Sequence, residues 1–202
     1  MTDEDVPTRR HCATSEVHRQ LLSVDPDYRK TRSEIENLTD AMQARGFVAT
    51  APKTRTIPVV VHVVYRNDRQ NISNAQVQSQ IRILNQDFRM KNRDQTNVPD
   101  VFKPLHSDTR IQFKLATKDI FGNATNGITR TRTSVPTFSF DEGVKASRTG
   151  GVDPWPTRRY LNIWVCNLGD GLLGYAQLPG GPRAADGVVI LHTALGNTGA
   201  AR

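Results

Sequence analysis

The side chains with metal-ligating or nucleophilic chemistry are few: two cysteines and five histidines. Cys12 lies in a polar run after Arg9, Arg10 and His11, where a thiol has little packing reason to exist. Cys166 sits inside the apolar run Leu161–Leu168 and reads as a buried small hydrophobe. Among His11, His18, His62, His106 and His192 no two stand four apart, so there is no His-Glu-x-x-His pair for zinc. His11 and His18 are seven apart and read as exposed, solvated side chains. His62 falls in a buried strand and reads as a core histidine hydrogen-bonded to backbone. No G-x-S-x-G elbow, P-loop or C-x-x-C motif occurs, and the pairs Gly150-Gly151 and Gly180-Gly181 are too short to argue for phosphate binding. Taken alone, these residues make no complete active site.

The elements that must position them are clearest between Tyr160 and Leu191. Three apolar runs occur there: Tyr160–Leu168, Leu172–Ala176 and Gly187–Leu191. The first and third are long enough for buried strands. The middle one is short, glycine-flanked and followed by Pro179 and Pro182, which reads as a sheet edge because proline cannot donate to a ladder. One use of an exposed edge is pairing with an extended peptide.

Upstream, Ser15–Leu22 is a short helix candidate, and Asp25-Pro26 offers an N-cap with proline at the first helical position. Tyr28, Thr31, Ile35, Leu38 and Met42 then form a narrow apolar stripe ended by Gly46, so this helix must dock on something larger. Ala49–Thr56 is a polar linker. Ile57–Tyr65 is β-branched and apolar on both faces, as a central parallel strand would be. Asn67–Ile72 reads as a turn, and Ser73 caps a helix with Val77, Ile81, Leu84 and Phe88 inside and Gln76, Gln80, Arg82 and Gln86 outside. Residues 92–108 are irregular, Arg110–Thr117 and Ile128–Val135 are strands, and residues 136–158 form a long loop. This order predicts an α/β (α+β) fold with a twisted mixed five-stranded sheet and a backing helix, after a mostly helical leading segment. With no further helix after the last strand, one apolar sheet face, including residues of Ile57–Tyr65 and Leu161–Leu168, is expected to be bare and to promote self-association.

The 202 residues carry 37% hydrophobic and 23% charged side chains, a globular balance. The net charge is +7, but no run of Lys or Arg exceeds two and aromatics are only 6%, so no nucleic-acid partner is expected. No run reaches the ~18 apolar residues of a membrane span, and Met1–Asp5 is unlike a signal peptide.

The segments TIPVVVHVVY (56–65), NISNAQVQSQIRILNQDFR (71–89), YLNIWVCNL (160–168), GLLGYAQLPGG (171–181) and DGVVI (186–190) together resemble the ulilysin-like pappalysins, a family of metzincin zinc metallopeptidases. The resemblance implies a prosegment over 1–55 and the upper subdomain of a catalytic domain over 56–202. In the family a His-Glu-x-x-His-x-x-Gly-x-x-His helix follows the strand matching Gly187–Leu191. This chain stops before it, so an amino-terminal part of a longer protease is expected, inactive as it stands and without catalytic residues of its own. The implied cofactor of the intact enzyme is zinc, with calcium left open. The implied partners are protein or peptide substrates, and the implied location is secreted, despite the absence of a signal peptide.

Two implied functional elements fall within the chain. Leu173, Gly174, Tyr175 and Ala176 match the family's upper-rim strand, against which substrate lies antiparallel; Gly174 and Ala176 are small enough for another backbone to approach. Arg10-His11-Cys12-Ala13-Thr14 matches an Arg-x-Cys-Gly-Thr pattern whose cysteine ligates the catalytic zinc until the prosegment is removed. A thiolate closes the position where water would be activated, and Arg9 and Arg10 favour the thiolate. The departure is Ala13 in place of glycine; if that position requires positive φ, alanine costs about 1 kcal/mol there. Lys53 and Arg55 are the implied activation cleavage candidates. The competing reading is a non-catalytic module that captures extended peptides on Leu173–Ala176, or places Cys12 on another protein's zinc.

Overall fold

A computed structural model describes residues 10–46 and 53–201. Arg9 and residues 49–52 of the expected linker lie outside the described residues. The elements are β1 (His11–Cys12), α1 (Thr14–Val24), α2 (Pro26–Ala44), β2 (Arg55–Tyr65), α3 (Asn74–Phe88), β3 (Ile111–Leu115), β4 (Ile128–Arg132), β5 (Leu161–Cys166), β6 (Leu172–Ala176) and β7 (Val188–Leu191), with short 3-10 turns between them.

All seven strands belong to one sheet, in the order β1-β6-β7-β5-β2-β3, with β4 also on β2. The pairings are parallel except β6 with β7. β5 lies along Val59–Val63 on one side of β2; β3 pairs with Arg55–Val59 and β4 with Val61–Tyr65. β3 and β4 therefore share the other side end to end. β2 to β7 supply the expected five lanes, and β1 adds a sixth that the helical reading of the leading segment missed.

Both faces of the sheet are covered. Val59, Val61, Val63, Ile163 and Val165 pack under α3 through Val77, with Ile81, Leu84 and Phe88 alongside. On the other face Val64, Trp164, Cys166, Tyr175 and Val189 meet Phe138, Val144, Ala13 and Val17, while Val60 meets Tyr160 and Ala116. The expectation of a bare face is thus wrong, and with it the stated reason for self-association. Most of the cover is irregular chain, with α1 contributing Val17: residues 136–158 fold over the sheet and are pinned to it by side chains. Trp164 Nε1 donates to Val152 O at 2.8 Å, and Asn162 closes a pair of bonds on the Trp155 main chain at 2.8 and 2.9 Å.

α1 and α2 begin as the caps dictate. The Asp25 carboxylate accepts from the Tyr28 amide at 2.9 Å, with Pro26 opening the helix. His18 is half-buried rather than solvated: its Nδ1 lies 2.7 Å from the hydroxyl of buried Tyr28, which ties α1 to α2. The apolar stripe of α2 docks only at its start. Thr31 and Ile35 face Gly180, but Leu38 is 62% exposed and Met42 38% exposed.

His62 is fully buried on β2, and its partners are side chains rather than the expected backbone. Nε2 lies 3.0 Å from Asn162 Oδ1 and Nδ1 lies 2.8 Å from the Thr129 hydroxyl. The amide oxygen only accepts, so Nε2 donates and Nδ1 accepts from Thr129, which is the neutral imidazole. Burial pushes its pKa down to about 4.

Gln76 also departs from expectation. It faces inward, and its Nε2 donates to His192 O (2.9 Å) and Leu195 O (3.0 Å) while its Oε1 accepts from Ala200 N (3.1 Å). Ser79 Oγ and Gln80 Oε1 accept from the amides of Asn197 and Gly196. Three polar side chains of α3 thereby hold the strand-free segment after β7. Helical periodicity marks Gln76 as outer because it ignores main chain that needs partners.

Two outcomes follow. The unfolded chain protonates His62 near its ordinary pKa of 6.5, and the folded chain only near 4. Its contribution is whole above pH 6.5 and is lost as pH falls from 6.5 toward 4, on the order of 3 kcal/mol in total. Denaturant titrations at pH 7.5, 6 and 5 should show that loss in the wild type and a smaller one in His62→Gln; equal slopes would contradict it. Gln76→Leu leaves two carbonyls and one amide without partners and should cost about 3 kcal/mol. Amide exchange over residues 192–200 should accelerate selectively, and unchanged exchange there would refute the clamp.

Candidate peptide-binding edge

β6 is the strand on which the candidate residues converge. One side of it pairs antiparallel with β7, with Gly174 opposite Ile190, Tyr175 opposite Val189 and Ala176 opposite Val188. Gly174 is required here by a close approach. A Cβ at this position would stand 2.5 Å from Val189 O. The crowding backbone is therefore β7, not a peptide on the open side as the small side chain first suggested.

The other side of β6 is occupied by the chain's own amino-terminal segment. β1 runs parallel to it, His11 beside Leu172 and Cys12 beside Gly174. The His11 amide donates to Gly171 O and the Ala13 amide to Gly174 O, both at 3.1 Å. The next amide on that side, Ala176 N–H, donates at 3.1 Å to the Thr14 hydroxyl. Leu173, Gly174, Tyr175 and Ala176 are therefore paired on both sides, with β1 as the outermost strand.

Cys12 is exposed at the end of β1, its Sγ 3.3 Å from Thr14 Oγ1. Ala13 has φ −92° and ψ 14°, an ordinary conformation for an L-residue. The condition under which alanine would cost strain does not arise, and its methyl is fully buried beside β6. Cys166 is buried in β5 as predicted, and burial pushes its thiol well above the usual range.

The remaining candidates scatter. Lys53 is exposed and precedes the sheet. Arg55 does not belong to a loose linker: it opens β2, donates its amide to Arg110 O at 2.8 Å and pairs with Ile111. His62 and His192 are remote in role, the first in the core and the second beside Cys166 O through its amide, with its imidazole pushed down by burial. Among the described residues no group of three or more His, Cys, Asp or Glu could hold a metal ion. The residues present do not fit a complete zinc centre; Cys12 offers one ligand.

Beneath β6 lies a pair that sequence reading missed, buried Lys145 with half-buried Glu142. Lys145 Nζ is 2.5 Å from Glu142 Oε2, donates to Ala185 O at 2.6 Å and stands 5.0 Å from the centroid of the Tyr175 ring. Burial pushes the lysine down and the carboxyl up, each against the attraction of the other. The pair ties the covering loop and the β6–β7 connection to the underside of the edge strand. The only trace in the sequence is a Glu and a Lys three apart in a loop, a spacing too common to signal burial.

No family model matches the chain, and no curated protein matches it. Solved structures do. Mature mirolysin from Tannerella forsythia in complex with a cleaved peptide is 56% identical, covers 75% of this chain and is itself covered over 57%, with a TM-score of 0.72. Mirolysin in complex with compound 9 gives the same figures. A point mutant of Tannerella forsythia promirolysin is 47% identical, covers 96% of this chain and is covered over 63%, with a TM-score of 0.83. The chain spans about three fifths of the length of these relatives. Over most of its length the chain shares the mixed α/β fold and about half the residues of mirolysin and promirolysin, which are ulilysin-like pappalysin metzincins.

Proposed function

We propose that this chain is the latent, amino-terminal part of a zinc metalloendopeptidase, in which residues 1–55 act as prosegment and residues 56–202 as the upper half of the peptide groove. The single observation that carries the reading is the strand pairing of His11–Cys12 on the β6 edge. The coverages agree with the division: the match to promirolysin extends over 96% of the chain and that to mature mirolysin over 75%, a difference close in size to the segment before β2.

In this reading β6 binds substrate through main-chain groups and sets its register. Ala176 N–H and the carbonyls of Gly171 and Gly174, now taken by Thr14, His11 and Ala13, are the groups a substrate would use. Zinc, when bound in the intact enzyme, supplies activation of the attacking water. Cys12 would hold the position of that water in the latent state. The edge cannot pair twice, so occupation by β1 excludes substrate without any change in β6. In this reading the side chains that hold zinc in the active enzyme, Cys12 apart, come from outside the described residues.

Both residues are exposed, but only Arg55 is held in a strand, which supports Lys53 as the activation site. Limited trypsinolysis of the folded chain should cut after Lys53 at least tenfold faster than after Arg55; preferential cutting at Arg55 would contradict this. The function itself is tested by continuing the chain with the remainder of promirolysin. The hybrid should hydrolyse peptides, sensitively to chelators, only after the prosegment is removed, and Cys12→Ser should shorten its latency. A folded hybrid with no such hydrolysis after cleavage would overturn the reading, and so would a Cys12→Ser hybrid as latent as its parent.

A further inference from the structure

The β6 edge reads its present occupant in two ways. The amides of His11 and Ala13 are bound through their main chain, which is indifferent to sequence. One side chain is also read. Arg10, His11 and Cys12 are exposed and Thr14 is half-buried, whereas Ala13 is 0% exposed. Its methyl joins the apolar cluster of Val17, Phe138, Leu168, Leu172 and Tyr175, in which no residue carries a charge. The Tyr175 ring is fixed from below by Lys145, itself held by Glu142 and Ala185 O.

We propose that the protein carries, beside the β6 edge, an apolar side-chain socket formed by Leu172, Tyr175 and Phe138, which selects extended peptides bearing a small aliphatic residue and which Ala13 fills in the latent chain. The proposal rests on the reading of β6 as the substrate edge and adds a side-chain preference to it. Val17 and Leu21 of α1 close the outer wall and leave together with Ala13, so the vacated space admits a branched aliphatic group as well as a methyl. Ala13 itself lies just past β1 at φ −92° and ψ 14°; an extended peptide on the edge would reach the same apolar cluster with one of its alternating side chains. A charged side chain there would lose its water, and the nearest charges, Lys145 and Glu142, are already paired with each other.

The test uses the full chain with Ala13→Asp and, independently, Val17→Asp, each of which places a carboxylate in the socket and should unseat the segment. Amide exchange at Ala176 reports the freed edge, and exchange at Val61 and Val165 reports an intact core. The probes are fluorescein-labelled eight-residue Ser/Thr peptides with a single central Ala, Val, Asp or Lys, followed by anisotropy. Both variants should free Ala176, keep the core protected, and bind the Ala and Val peptides about tenfold or more tightly than the Asp and Lys peptides. The wild-type chain, with its seat filled, should bind all four at least tenfold more weakly. Equal binding of the four peptides by a freed edge overturns the socket and leaves the substrate-edge reading standing. A freed edge that binds none of them overturns the substrate-edge reading and the socket with it. An Ala176 amide as protected in both variants as in the wild type shows that the socket tolerates charge, and overturns the proposal.

Discussion

Each main-chain amide and carbonyl on the open side of β6 needs a partner, and the arrangement of the amino-terminal segment follows from that need. A two-residue strand would not hold by itself. It holds because His11 and Ala13 donate to β6, because Thr14 takes the next amide with a side-chain oxygen, and because α1 begins at once and buries Val17 against the same sheet. The main chain supplies register, and the apolar anchor supplies the free energy to keep it. An edge satisfied in this way is closed to any other extended chain.

The strand so covered is stiff. β7 approaches Gly174 too closely for any side chain there, and the Lys145–Glu142 pair braces Tyr175 from the opposite side. The buried charges of that pair are costly to hold and are offset by one another, by the Ala185 carbonyl and by two aromatic faces. The sheet beyond is anchored by neutral His62 between Thr129 and Asn162, whose amide also fixes the Trp155 loop.

Much of this was legible in the residues. The β-branched runs of β2, β5 and β7, the Ser73 and Asp25 caps and the proline-bounded β6 all lie where pattern and capping chemistry place them. Local rules failed where the deciding partner is distant in sequence. β1 is too short to show any periodicity, and its partner lies about 160 residues away. Gln76 was placed outside by helical spacing, although it serves main-chain groups more than a hundred residues on. The cover over the second sheet face was sought as a helix, while Phe138, Val144 and Trp155 deliver it from irregular chain. The alanine in the Cys12 motif looked like a defect only while its φ was unknown.

The account stands most directly on amide exchange within the unaltered chain, read residue by residue. If residues 11–14 close the β6 edge, the amides of Ala13 and Ala176 should be protected and should exchange with the same opening free energy, since one event releases both. An Ala176 amide exchanging at the rate of an unstructured peptide would contradict it, because the edge would then be free in solution.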